Sequence, residues 1–221
     1  MAMQEEAPEK RGATAALVEH ESSKRPRTDP ASTALQPVTG GTLAKAGPQR
    51  TSDLLAPIML LEGHAGAVNT CQFAPDGRHL ISGSHDKLLL MWEVFGESKN
   101  VLTLRGHKNS VLQAHWLEDG EGVISCSADK TVALWDSRTG ARSRVFKGHS
   151  SYVNACANAR ESPVIASGSD DGSARLWDVR VRSCQRTFAH PFAVTAVALS
   201  SNGTQLFTGS LDGHVRSFDL R

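Results

Sequence analysis

Serine, histidine and aspartate recur together at constant spacing: His64, Ser82 and Asp86; His107, Ser125 and Asp129; His149, Ser167 and Asp171. A serine activated by an imidazole that an aspartate orients is the constellation of acyl-transfer hydrolases. That chemistry needs a nucleophile that substrate can reach and donors aimed at a developing oxyanion. Here the trio repeats, and each copy has an indole as a fourth member, at Trp92, Trp135 and Trp177. A buried indole N–H requires an acceptor, and an imidazole can both donate and accept. The repeated set therefore reads as a series of structural hydrogen-bond chains, and no catalytic residue is assigned. An altered copy holds His190, Thr208, Asp212 and Phe218. Phenylalanine has no N–H to donate, so that network is expected to be shortened and its unit the weakest.

The elements that position these residues repeat with them. Gly63-His64, Gly106-His107 and Gly148-His149, with a weakened Ala189-His190, are separated by steps of 43, 42 and 41 residues. From each His to the following aromatic the distance is 28 residues in every copy, the aromatics being followed by Glu93, Asp136, Asp178 and Asp219. A rigid block joined by elastic connections is the mark of stacked supersecondary units. Each block opens with spaced apolar residues, as in Val68, Cys71 and Phe73, which suits a half-buried strand. Asp76-Gly77, Asp119-Gly120 and Asn202-Gly203 then mark tight turns. A second strand such as HLIS, a third such as KTVALWD and a fourth such as Ser143 to Phe146 complete the unit. Short antiparallel strands in sets of four predict propeller blades and an all-β chain.

In-register Gly-His, Ser, Asp and Trp-Asp positions resemble the WD-repeat family from about residue 56 to the end. The resemblance implies an all-β WD-repeat β-propeller, four of whose blade-forming repeats are present, as part of a ring that usually has seven. It implies that the Trp, Ser, His and Asp of a copy form one buried chain. It also implies a leading outer strand at Ala56 to His64, which in this family completes the last blade and closes the ring; closure of four blades is possible by count, but with four of the usual seven present the ring is expected to be incomplete here. The family's partner-facing rim maps to Asn69, His85, Leu112, Tyr152, Asn154, Asp170 and Leu211.

Composition narrows the function classes. With 24 basic and 23 acidic residues the net charge is +1, so no global field draws the chain to nucleic acid or an anionic membrane. The apolar runs are far shorter than the roughly 18 residues a bilayer span needs, and no signal-peptide region opens the chain; an intracellular protein is expected. Cys71, Cys126, Cys156 and Cys184 form no metal-ligand pattern and are expected to be reduced, mostly buried thiols; no metal or cofactor is expected. Residues 1–53 contain no Phe, Trp or Tyr and five of the nine prolines, so a disordered tail is expected ahead of a propeller at 54–221. Within the tail, Lys24, Arg25 and Arg27 form a basic cluster, readable as a nuclear import signal or as a solvated charge run.

The stretches LLAPIMLLEGHAGAVNTCQFAPDG, DKTVALWDSRTGARSRVFKGHSSYVN and GSDDGSARLWDVR resemble a branch of the WD-repeat family found in the U5 small nuclear ribonucleoprotein. That resemblance implies a non-catalytic nuclear scaffold in pre-mRNA splicing, docked on the large central scaffold of the particle, with RNA contact indirect or minor and no small-molecule substrate. A second resemblance lies in WDSR, WDVR and FDLR, which are similar to the Trp-Asp-x-Arg box of substrate receptors for cullin-type ubiquitin ligases. On that reading Arg138, Arg180 and Arg221 meet a ligase adaptor.

Overall fold

The computed structural model describes residues 58–181 and 183–221. The expected tail and the Lys24, Arg25 and Arg27 cluster lie outside the described residues.

Four antiparallel sheets follow one another along the chain. The first blade is β1 (Val68–Phe73), β2 (His79–Ser84), β3 (Leu89–Glu93) and β4 (Asn100–Leu104). The second is β5 (Val111–Trp116), β6 (Gly122–Ser127), β7 (Thr131–Asp136) and β8 (Arg142–Lys147). The third is β9 (Val153–Asn158), β10 (Val164–Ser169), β11 (Ser173–Asp178) and β12 (Cys184–Ala189). The fourth is β13 (Val194–Leu199), β14 (Gln205–Ser210) and β15 (Val215–Asp219), with three strands. Strand order equals chain order in every sheet, as hairpin-connected strands require. Every regular element among the described residues is a strand.

Neighbouring blades meet through their first strands, β1 against β5, β5 against β9 and β9 against β13. Between them lie layers of apolar side chains. Ile81, Leu89 and Met91 meet Val111, Trp116 and Trp135 between the first two blades. Ile124, Val132 and Phe146 meet Val153, Cys156 and Trp177 between the next two. Small residues on the second strands let the next blade approach: a Cβ added to Gly168 would stand 2.6 Å from Cγ1 of Val194. Fully burying each such valine contributes about 1.5–3 kcal/mol. Side-chain amides fasten the same joints. Gln72 Oε1 accepts from the Trp116 N–H at 2.8 Å, and Gln113 Oε1 from the Cys156 N–H at 2.9 Å.

The row of blades does not close on itself. Val111, Val153 and Val194 are fully buried, yet Val68 at the equivalent position of the first blade is 53% exposed. At the other end, Val215 is 77% exposed where Leu89, Val132 and Ala174 are fully buried. Core-type residues thus stand at both ends without a neighbouring blade over them. The leading outer strand expected at Ala56 to His64 does not form over its described part: residues 58–64 pair with no strand, and Ile58 and Leu60 are exposed. A lone segment satisfies neither backbone groups nor apolar side chains without a sheet edge to join. The four cysteines are free thiols, but only Cys126 and Cys156 are buried; Cys184 is half-buried and Cys71 exposed. Cys71 belongs to the uncovered first strand, which is why its burial differs from the expectation.

Hydrogen-bond tetrads and a candidate interaction rim

Three blades hold one hydrogen-bond chain each, at closely matching distances. In the third, Trp177 Nε1 donates to Ser167 Oγ at 2.8 Å, Ser167 Oγ lies 2.8 Å from His149 Nε2, and His149 Nδ1 lies 2.8 Å from Asp171 Oδ2. Trp135, Ser125, His107 and Asp129 repeat this in the second blade at 2.7, 2.7 and 2.8 Å. Trp92, Ser82, His64 and Asp86 repeat it in the first at 2.8, 2.7 and 2.8 Å. Every donor finds an acceptor when the serine O–H points to Nε2 and the imidazole carries its proton on Nδ1. Each aspartate also accepts from the backbone N–H after the histidine, at Ala65, Lys108 and Ser150. The chain therefore runs from the third strand through the second to the loop that enters the blade, binding three segments distant in sequence.

The electrostatics suit a permanent structural link. Burial opposes ionisation of Asp129, but hydrogen bonds from His107, Thr131 and the Lys108 N–H outweigh it and hold the carboxyl well below the usual carboxylate range. Asp86 and Asp171 are lowered in the same way, against the same burial. Burial pushes His149 down, overcoming the pull of Asp171, so the ring is neutral at pH 7. Ser125 and Ser167 have no exposed surface and Ser82 very little, and the indole N–H occupies each hydroxyl oxygen.

The fourth copy differs. His190 Nε2 lies 2.8 Å from Thr208 Oγ1, but Nδ1 faces the Phe188 carbonyl at 3.1 Å. Asp212 does not join it, which corrects its placement in a tetrad. Its carboxylate takes the Arg216 guanidinium instead, and that hydrogen bond holds it well below the usual range. A forked charge-assisted pair is stronger than a bond to a neutral imidazole. Phe218 packs at 5.7 Å from the His190 ring and 4.6 Å from Phe188, an apolar replacement for the missing indole bond.

The histidine and aspartate loops lie at one end of each sheet, since the tetrads join them. The expected rim residues sit on these loops and on the strands just below, but they divide into two groups. Tyr152 and Leu211 are exposed, as are His85 and Asp170, while Leu112 is half-buried against the second core layer. Asn69 and Asn154 instead reach sideways: their Nδ2 groups donate to the Val111 and Val194 carbonyls of the next blade at 2.7 and 3.1 Å. Asn154 also donates to Asp170 Oδ1 at 2.6 Å. These asparagines are inter-blade clamps, a use that depends on the neighbour one repeat away. Phe192, 57% exposed on the loop two residues after His190, was not foreseen. It stands where the other copies have Gly66, Asn109 and Ser151, so the repeat pattern gives no signal for it. Together Tyr152, Phe192 and Leu211 place three large apolar side chains on the tetrad end of the third and fourth blades. The arginines of the Trp-Asp-x-Arg stretches are exposed at the opposite end, where the preceding aspartate accepts the N–H of Arg138, Arg180 and Arg221 at 2.9, 2.7 and 3.0 Å. Those aspartates cap a turn.

Blades of short antiparallel strands, three of them locked by a Trp-Ser-His-Asp chain, define a β-propeller of WD type. The family model described as WD domain, G-beta repeat matches residues 55–93, 98–136, 140–178 and 182–219, and the chain belongs to that family. It is 54% identical over 177 residues to the U5 small nuclear ribonucleoprotein 40 kDa protein of Homo sapiens, a match covering 80% of this chain and 50% of the relative. The protein of the same name from Dictyostelium discoideum is 40% identical over 183 residues, covering 82% of this chain and 52% of the relative. The pre-mRNA-splicing factor cwf17 of Schizosaccharomyces pombe is 37% identical over 174 residues, covering 78% and 51%. The chain thus spans about half the length of the curated relatives it matches.

Proposed function

We propose that this chain is a non-catalytic scaffold of the U5 small nuclear ribonucleoprotein that acts in pre-mRNA splicing and docks on the large central splicing scaffold protein. The observation that carries this reading is the 54% identity over 177 residues to a relative named for that particle. Burial of every tetrad serine supports the non-catalytic part, because a nucleophile that no substrate reaches performs no acyl transfer. Docking uses the tetrad end of the blades, where Tyr152 and Leu211, joined by Phe192, act as rigid apolar anchors and His85 and Asp170 add polar contacts. RNA contact on this reading is indirect, in keeping with a net charge of +1. Action in the nucleus gives the Lys24, Arg25 and Arg27 cluster an import role within a tail at 1–53. The exposed core faces at Val68 and Val215 are the seats of further blades that complete a ring of seven around the propeller at 54–221.

The test is affinity capture of the tagged native protein from nuclear extract, with and without ribonuclease. Recovery of U5 RNA and the large splicing scaffold, the protein pair surviving ribonuclease, is the expected result. Recovery of a cullin adaptor without U5 components overturns it and transfers the function to Arg138, Arg180 and Arg221.

A further inference from the structure

The outer strand of the second blade carries charge that neither the tetrads nor the rim uses. β8 is last in its sheet, so its free edge presents backbone donors and acceptors that no neighbouring strand pairs. Arg142, Arg144 and Lys147 stand on it, with Lys108 and Lys130 on the adjoining loops, and these side chains line a groove of about 890 Å³. Asp129, the one carboxylate in the groove, is already bound by His107, the Lys108 N–H and Thr131. Among the described residues, none of the five cations is ion-paired. The whole chain has a net charge of only +1, so this is a local concentration of positive field.

Two of the cations are held in position. Arg142 donates to the Gly106 carbonyl at 2.6 Å and lies over the Trp135 ring at 6.0 Å. Arg144 donates to the Arg180 carbonyl at 2.7 Å. A guanidinium has five N–H donors, so each arginine keeps several for a ligand. Charge is a common protection of edge strands. Yet β4 bears no charged side chain and β12 only Arg186, so the cluster on β8 is not a device applied to every edge of this protein.

We propose that the free edge of β8 binds an extended acidic peptide segment of a partner protein, which adds as a fifth strand with its carboxylates set against these cations. The chemistry of the edge selects a peptide over nucleic acid. A strand edge offers carbonyl acceptors as well as N–H donors; phosphates only accept, whereas a peptide backbone answers both. The rings nearest the groove, Trp135 and Phe146, are each 1% exposed, so no base finds a stacking surface. Alternate residues of an added strand share one face about 6.6–6.8 Å apart, so a peptide alternating acidic and apolar residues turns its carboxylates together toward the cations on either side of the bulge at Ser143.

The experiment is fluorescence anisotropy of the full chain with a labelled synthetic peptide alternating Glu and Val. Binding is expected to weaken with salt and to fall about tenfold or more when Gln replaces Glu in the peptide. The double variant K130E/K147E, altering two exposed side chains with no hydrogen bonds in the structure, is expected to show the same loss with an unchanged unfolding midpoint. R144Q is a second, independent variant should the first fail to fold. One of the two alternately N-methylated peptides is expected to lose binding, because it lacks the amides that face β8. Retained binding by both methylated forms overturns strand addition. Tighter binding of single-stranded RNA, lost in the same variants, overturns the peptide in favour of nucleic acid, and absence of binding to either probe overturns the site.

Discussion

The Trp177 indole closes over Gly148: a Cβ added to that glycine would stand 3.2 Å from the ring's Cη2 atom. Gly63 meets Trp92 in the same way, at 3.0 Å. In the fourth blade the glycine is replaced by Ala189 and the indole by Phe218. Where the ring at this position is smaller, the glycine position carries a methyl group, so the two substitutions fall on the two members of one pair.

This pairing predicts a cost at either site when only one member of the pair is changed. Gly148→Ala is expected to cost about 1–3 kcal/mol through overpacking against Trp177 and the Arg175 guanidinium, whose Nη1 would stand 2.5 Å from the new Cβ. Phe218→Trp alone is expected to destabilise, and to be rescued when Ala189→Gly is added, since Thr208 then gains an indole donor. Denaturant midpoints of the singles and the double form the cycle that checks it. Additive effects of the two fourth-blade changes would contradict the shared contact.

The tetrads are expected to be unequal. His149→Ala leaves the buried Ser167 hydroxyl without its acceptor, at about 1–3 kcal/mol, and removes one donor from Asp171, which keeps Ser150 and Ser173. His190→Ala releases only Thr208 and a carbonyl contact, and Asp212 keeps Arg216. Its unfolding midpoint is therefore expected to shift less, as urea titration of both variants would measure.

Acid is expected to weaken the fold in two stages. His149 and His115 are both lowered from 6.5 by burial, so the unfolded chain binds protons more readily than the folded one. Their contribution is complete above about pH 6.5 and declines as pH falls below it. Asp86, Asp129 and Asp171 are lowered from 3.8, so theirs is complete above that value and is lost as pH falls through their depressed folded values. Unfolding midpoints from pH 7 down to about pH 3.8 report the first stage, and their continuation to strongly acid pH reports the second. His115→Gln is expected to flatten the upper one, and an unchanged slope in that variant would exclude His115 as its source.

Lys87 holds a φ of 73°, at the turn position where the third and fourth blades have Gly172 and Gly213 at 72° and 79°. Left-handed backbone costs a side-chain-bearing residue roughly 1–2 kcal/mol, and glycine's greater freedom in the unfolded chain returns part of that. Lys87→Gly is expected to raise stability by a few tenths to about 1 kcal/mol, read as an increased denaturant midpoint with unchanged slope.

Much of this was legible in the residues. The tetrads could be read because a buried indole, hydroxyl, imidazole and carboxylate satisfy one another only in a fixed arrangement, which imposed the 28-residue interval on each copy. The turns were legible for a similar reason: Gly77, Gly120 and Gly203 adopt positive φ where their Asp-Gly and Asn-Gly pairs stand. Asn69 and Asn154 were not legible as clamps, because their acceptors, the Val111 and Val194 carbonyls, belong to the following blade. Asp212 and Arg216 stand at the same spacing as Asp171 and Arg175, so only the side-chain geometry separates the copies: Arg216 turns onto Asp212, whereas Asp171 keeps His149.

The sequence by itself therefore determined the blade: its strands, its turns and the hydrogen-bond chain that fastens it, all set by short-range pattern and the satisfaction of buried polar groups. Tertiary structure alone decided what lies between and outside the blades. Whether a valine is core or surface, as with Val194 and Val68, whether an asparagine binds a partner or a neighbour, and whether five cations form one groove depend on surfaces brought together across a repeat. Repeats encode similar side chains at each position, but burial and pairing come from the next unit, and only its presence or absence in space separates otherwise equivalent residues.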